Sequence, residues 1–427
     1  MALKQGKVYA RHRILLDGRM AVPLFLFLFF YYSASRKLQN DCHSSDYFYF
    51  YFYFLFLFWG CWVGLGVVCF PGTRGKRREV MGRPVRFPGI SNELQKILVA
   101  NMDEAPARRR AREAFKDIQL GIDHILFKSP ADGLKIKESY EVNSRGLEIF
   151  TKSWLPETSP PRAVLCYCHG YGDTCTFFFE GIARKLASSG YGVFAMDYPG
   201  FGLSEGLHCY IPSFDRLVDD VIEHFSKVKE DPAIRTLPSF LFGQSMGGAV
   251  ALKVHLKQPD AWNGAILVAP MCKIADDMVP PLLVKKILIG VANVLPTKKL
   301  VPQKDLAEAA FRELKKRELT AYNVIAYKDK PRLKTALEML RTTEEIEERL
   351  GEVSLPLLIL HGESDIVTDP SVSKALYEKA RSSDKKLKLY KDAFHSLLEG
   401  EPDEIIIRVL NDIISWLDEH TKESNAC

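Results

Sequence analysis

The sequence predicts an α/β fold: a mostly parallel sheet with helices on both faces and an inserted helical cap. Three observations predict it. Short, continuous apolar runs alternate with amphipathic segments through most of the chain. One long interval, 273–351, breaks that rhythm without offering a strand. A Gly-x-Ser-x-Gly pentapeptide stands between an apolar run and a helical one.

The chain starts with an appendage, residues 1–80, whose composition differs from the rest. It carries eleven Lys/Arg against four Asp/Glu, so the other 347 residues hold a net −2 of the chain's +5. The basic balance therefore belongs to the appendage. The body shows no basic stripe with interleaved aromatics, so no nucleic-acid partner is expected. Met20–Tyr32 is uncharged, follows Arg11, Arg13 and Arg19, and precedes Ser33-Ala34-Ser35, the pattern of a targeting peptide. Tyr47–Phe70 is 24 residues without a charge, long enough to cross a hydrocarbon core. The Arg74, Lys76, Arg77, Arg78 cluster after it would leave the body in the cytoplasm. Its alternating Tyr/Phe composition also fits translated non-coding sequence, with Met81 as the initiator. Anchor, targeting segment (plastid targeting included) and gene-model artefact all stay open. Without the anchor, the body is expected to be cytoplasmic.

Residues 81–133 read as a helical extension. Leu94, Ile97 and Leu98, then Phe115, Ile118, Ile122 and Ile125, recur at helical spacing. The basic run Ala107–Arg112 is expected to face solvent. The first core segment, 134–272, opens with alternating strands at Ile136–Val142 and Leu147–Lys152 around Asn143-Ser144-Arg145-Gly146. Apolar runs follow at Ala163–Cys168, Gly192–Met196, Ser239–Phe242 and Gly264–Val268, with amphipathic segments such as Gly181–Ser188 and Phe214–Val228 between them. Strands buried on both faces read this way. The interval 273–351 is the expected cap; its apolar segment Val279–Pro296 is broken by prolines. The second core segment, 352–427, adds Pro356–Leu360, Pro370–Ala380 and Leu387–Tyr390. The nine cysteines form no CxxC or Cys/His spacing and read as buried free thiols. No metal or cofactor is expected.

Gly-x-Ser-x-Gly occurs twice. Gly202–Gly206 lies in a loop, between Tyr198-Pro199-Gly200 and Ile211-Pro212. Gly243-Gln244-Ser245-Met246-Gly247 follows an apolar strand and opens a helix, the strand–turn–helix setting that exposes a nucleophilic hydroxyl. Ser245 is the candidate nucleophile. A serine needs a neighbouring base, and His395, in the loop after the last strand, is the candidate. His255 lies in the helix after the turn, His361 ends a strand before a glycine, and His420 lies in the charged C-terminal tail. Glu363, Asp365 and Asp369 compete as the acid. Asp369-Pro370 reads as a helix N-cap, which leaves Asp365. The oxyanion hole needs preorganised amides: those of Met246, after the nucleophile, and Tyr171, in the loop after Ala163–Cys168. The His169 side chain is read as structural.

HGYGDT at 169–174, DYPGFGLSEG at 197–206, GQSMGG at 243–248, HGESDIVTDP at 361–370 and the His395 loop together resemble the monoglyceride lipase family of α/β-hydrolases. They look like its plant branch, which is monoacylglycerol lipase-like and caffeoylshikimate esterase-like. The resemblance covers roughly 134–421. It implies an α/β-hydrolase fold and a serine ester hydrolase acting on a lipid or phenolic ester through an acyl-enzyme. It also implies nucleophile Ser245, acid Asp365, base His395 and oxyanion amides on Tyr171 and Met246. Tyr171 is a departure: animal members carry a small residue there. Membrane contact is expected through the N-terminal segment and an apolar rim, Met278–Val284 and Ile287–Ile289. Two further readings stand beside this one. His255-x4-Asp260 fits an acyltransferase pattern, with both side chains expected at the surface, and the scaffold could serve a non-catalytic receptor or interaction protein.

Overall fold

The computed structural model describes residues 91–273, 282–301 and 306–422. Gly82–Cys427 forms a compact unit separate from Met1–Met81. The expectations for Met20–Tyr32, Tyr47–Phe70 and Met278–Pro281 lie outside the described residues. None of the described helices is long and apolar enough to cross a membrane.

The strands are β1 (Leu134–Val142), β2 (Glu148–Pro156), β3 (Val164–Cys168), β4 (Gly192–Met196), β5 (Ser239–Gln244), β6 (Gly264–Val268), β7 (Leu357–Gly362) and β8 (Lys385–Tyr390). The helices, in chain order, begin with α1 (Asn92–Leu98), α2 (Ala105–Leu120), α3 (Phe178–Ser188), α4 (Phe214–Glu230) and α5 (Met246–Lys257). Then come α6 (Leu282–Val294), α7 (Leu306–Ala310), α8 (Leu314–Leu319), α9 (Leu333–Glu348), α10 (Pro370–Lys379) and α11 (Asp403–Lys422). The described residues between β6 and β7 form helices joined by loops, with no strand among them.

The eight strands make one sheet in the order β1-β2-β4-β3-β5-β6-β7-β8. The β1–β2 and β2–β4 pairings are antiparallel, and every later pairing is parallel. Every residue of β3, β5 and β6 is buried. Their side chains feed two cores in alternation, as the two-residue period of a strand requires. Leu165, Tyr167, Phe240 and Phe242 join one core with Trp154, Phe179 and Trp416. Val164, Cys166 and Leu241 join the other with Phe214, Phe225 and Val250. Helices α4 and α5 cover the second core, and α3 and α11 the first.

Three expectations need correction. The basic run at 107–112 is not a solvated face. Arg108 has no exposed surface, and its guanidinium donates to the carbonyls of Gly202 (2.5 Å), Ser204 (2.7 Å), Gly206 (3.3 Å) and Met102 (2.9 Å). Burial lowers its pKa to about 10. Arg112, also buried, pairs with Glu138 at 2.6 Å. The partners lie on other elements, so helical periodicity carries no sign of them. His255 is likewise buried rather than on the surface: its Nε2 accepts the Ser354 amide at 3.1 Å, while Asp260 is exposed. His420 belongs to α11 rather than to a tail, stacked on Trp416 with ring centroids 3.9 Å apart. Five cysteines, Cys166, Cys168, Cys175, Cys209 and Cys272, are buried and free.

Candidate active site

β5 delivers Ser245 to the carboxyl end of the sheet, and α5 begins at the next residue. The turn holds Ser245 at φ 54°, ψ −120°, a conformation that costs a side-chain-bearing residue on the order of 1–3 kcal/mol and persists where the surroundings enforce it. They do so here. The Ser245 amide donates to Val268 O of β6 at 3.0 Å, and its carbonyl accepts from Gly248 and Met271, both at 2.9 Å. Two glycines permit the close approach. A Cβ on Gly247 would lie 1.9 Å from Cys168 O, and one on Gly243 would lie 2.4 Å from Gly247 O.

The loop after β8 brings in His395, whose Nε2 accepts from Ser245 Oγ at 2.9 Å. Its Nδ1 lies 2.7 Å from Asp365 Oδ2. A carboxylate only accepts, so Nδ1 carries the proton and Nε2 is free to act as a base. Asp365 sits in the turn after β7 and is itself held. Its Oδ1 accepts the amides of Val367 (2.7 Å) and Thr368 (3.0 Å). Its Oδ2 also accepts Thr368 Oγ1 (3.0 Å) and His361 Nε2 (3.1 Å). Burial pushes the Asp365 carboxyl up, but the electrostatic attraction and hydrogen bonds of the His395 and His361 rings outweigh it and hold the group well below the carboxylate range. Asp365 therefore stays ionised. Of its two competitors, Glu363 is exposed, and Asp369 caps α10 through the Ser371 amide at 2.7 Å.

Both oxyanion candidates lie beside Ser245 in the chain or in space. Met246 is the first residue of α5, where a backbone N–H has no acceptor within the helix. The loop carrying Tyr171 passes close by: a Cβ on Gly170 would lie 3.5 Å from Ser245 Cβ. This loop is anchored to the insert between β6 and β7, since Tyr327 N donates to Gly172 O at 2.8 Å and Asn323 Nδ2 to Asp173 at 3.3 Å. The Tyr171 ring packs edge-on against Phe201 and Tyr327, and its hydroxyl is buried without a partner among the described residues. The His169 ring is structural: Nδ1 donates to Gly170 O at 2.9 Å, and Nε2 accepts the Tyr198 amide at 3.3 Å. Ser204, of the rejected pentapeptide, is buried and donates to Asp197 O at 2.6 Å.

Sequence reasoning missed three supporting residues. His361, passed over as a turn residue, is buried in β7 and braces Asp365 while accepting from Ser373 Oγ at 2.6 Å. Thr368 reaches both Asp365 and His395 Nδ1, the latter at 3.1 Å. Glu399, four residues past His395, accepts from Gln244 Nε2 at 2.6 Å, which ties the histidine loop to the residue before Ser245. Burial and nearby Asp173 push the Glu399 carboxyl up to about 8. Burial likewise pushes Asp173 up to about 6. None of these roles has a local sequence signal, because each depends on pairing across loops.

The family model for serine aminopeptidase S33 matches residues 159–403. Caffeoylshikimate esterase of Arabidopsis thaliana is 36% identical over 297 residues, 69% of this chain and 88% of that protein. Monoglyceride lipase of Homo sapiens is 31% identical over 283 residues, 66% of this chain and 90% of that protein. Among solved structures, a soluble variant of monoglyceride lipase from Saccharomyces cerevisiae aligns with TM-score 0.58 at 20% identity, covering 66% of this chain and 95% of that one. At that identity the likeness speaks for the fold alone.

Proposed function

Because the chain belongs to the serine aminopeptidase S33 family of α/β-hydrolases and is a carboxylic ester hydrolase of the monoglyceride lipase type, we propose that Ser245, His395 and Asp365 carry its reaction. The observation that supports this most is the relay from Ser245 Oγ to His395 Nε2 at 2.9 Å and from His395 Nδ1 to Asp365 Oδ2 at 2.7 Å. Ser245 attacks the ester carbonyl as His395 takes its proton. Asp365 fixes the tautomer and stabilises the imidazolium. The amides of Met246 and Tyr171 hold the developing oxyanion, each contributing about 10²–10³ in rate. His395 returns the proton to the leaving alcohol, and water then releases the acyl group by the same path.

The substrate class we propose is a monoacylglycerol, a lysophospholipid or a related ester. The relatives named monoglyceride lipase support it. A second reading, a phenolic ester of the caffeoylshikimate kind, is favoured by the 36% identity to caffeoylshikimate esterase and by the aromatic wall of Tyr171, Phe201 and Tyr327 at the oxyanion loop. The helices between β6 and β7 would act as the lid. Ile289 and Leu288, from the expected apolar rim, pack partly against Leu333 and Leu337 of α9, leaving less of that rim for a membrane. Membrane contact through Tyr47–Phe70 remains part of the proposal for protein that contains it. Peptides from residues 40–75 in purified native protein would exclude initiation at Met81.

Hydrolysis of monoacylglycerol, lysophospholipid and caffeoylshikimate by the wild type and Ser245→Ala tests the proposal. The wild type is expected to turn over at least one class and the variant none. Full retained turnover in Ser245→Ala would overturn the assignment.

A further inference from the structure

On the face of the sheet opposite the nucleophile's own helix lies a cluster of charges that ester hydrolysis does not use. Between α2, β2 and α3, a cavity of about 50 Å³ is lined by Arg112, Lys116, Lys152, Thr176, Glu180 and Arg184. Lys152 is buried and sits 2.6 Å from both Glu138 and Glu180. Arg112 Nη2 lies 2.6 Å from Glu138, and Arg184 Nε lies 2.9 Å from Glu180. These ion pairs leave positive charge over. Four cations line the cavity or its edge against Glu138 and Glu180; even with exposed Glu113, 4.0 Å from Arg112, the cations outnumber the carboxylates. Arg112 is 7% exposed, and its Nε is buried without an acceptor among the described residues. An uncompensated buried donor on a cation is costly, so native proteins supply it with a partner.

The size of the cavity restricts that partner. One water needs roughly 10–15 Å³ of such space, so the niche has room for about three to five waters or one small oxyanion. Guanidinium and ammonium groups in excess are the donors that phosphate oxygens use. We propose that this niche binds a phosphate group, with Arg112 Nε and Lys116 as its direct donors and Lys152 and Arg184 supplying the surrounding charge. A bound phosphate would strap α2, in the helical N-terminal extension, to β2 and α3 of the sheet body, because each contributes a cation. The site is separate from Ser245 and does not depend on the ester-hydrolysis proposal.

The test is the thermal midpoint of the full chain in inorganic phosphate and in chloride at matched ionic strength, with glycerol 3-phosphate as a second arm. Saturating phosphate is expected to raise the midpoint by about 2–4 °C over chloride. Lys116→Gln, on a partly exposed side chain, and Arg112→Lys, which keeps the charge but removes Nε, are each expected to lose most of that rise. A response to glycerol 3-phosphate alone assigns the niche to a phosphate monoester, and a response to both assigns it to the phosphate group itself. Equal midpoints in phosphate, glycerol 3-phosphate and chloride would overturn the proposal. So would a phosphate-induced rise that survives both substitutions, since phosphate strengthens burial in any protein through exclusion from its surface.

Discussion

Replacing Asp365 with Asn changes one atom and should cost almost all of the activity. Asp365 Oδ1 is fixed by two backbone amides at 2.7 and 3.0 Å, which point their hydrogens at it. An amide NH2 placed there would face two donors, so the Asn oxygen must take that side. The Asn NH2 then occupies the Oδ2 side, 2.7 Å from His395 Nδ1, and offers a hydrogen where the carboxylate had accepted one. His395 is driven to the opposite tautomer, with its proton on Nε2 facing Ser245 Oγ, and cannot take the serine proton. Loss of the right tautomer costs about 10⁴ in kcat, which is about 5.5 kcal/mol of transition-state stabilisation at ~1.4 kcal/mol per decade. The assay is kcat for a short-chain p-nitrophenyl ester. Asp369→Asn is the control, since Asn caps a helix as well as Asp does, and it should stay near the wild type. A kcat for Asp365→Asn within about tenfold of the wild type would refute the reasoning, because a factor of ten is only ~1.4 kcal/mol.

Two further outcomes follow from buried charge. The Glu399 carboxyl is raised from 4.5 to about 8 by burial and by Asp173, so the folded protein holds a proton there that the unfolded chain releases. Its contribution to stability is present in full below the ordinary carboxyl value and is lost as pH rises through about 8. Glu399→Gln keeps an oxygen for Gln244 and cannot ionise; its thermal midpoint relative to the wild type should therefore climb between pH ~5 and ~9, and a flat difference would count against the shifted carboxyl. Arg108→Ala leaves the carbonyls of Gly202 and Ser204 buried without their donor. At about 1–3 kcal/mol per group the loss should be about 2–6 kcal/mol in urea denaturation, and a change under about 1 kcal/mol would return Arg108 to the class of surface residues.

The sheet was legible because its central strands are short and apolar on both faces. Gly192–Met196 and Gly264–Val268 match the expected runs residue for residue, since Gly or a loop bounds each. β5 and β7 each run two residues past the expected end, through Gly243-Gln244 and His361-Gly362. Polarity marks those residues as loop, yet they remain paired with β6 and β8 because the site is built on strand ends. Ser245 was legible from its strand, its helix and its glycines. What surrounds it was not. Arg108, Arg112, His255, His361 and Glu399 are polar residues buried by partners on other elements or across a turn, and local periodicity registers only the polarity. The same non-local pairing hid the cation niche.

The most direct measurement is the site of covalent labelling by a fluorophosphonate, read by peptide mass spectrometry on the native protein. An activated serine displaces fluoride and keeps the phosphonyl group, whereas an ordinary hydroxyl does not react. One phosphonyl group per chain is expected on Ser245, and none in His395→Ala. An unlabelled chain, or a label on Ser204 with Ser245 left free, would contradict it.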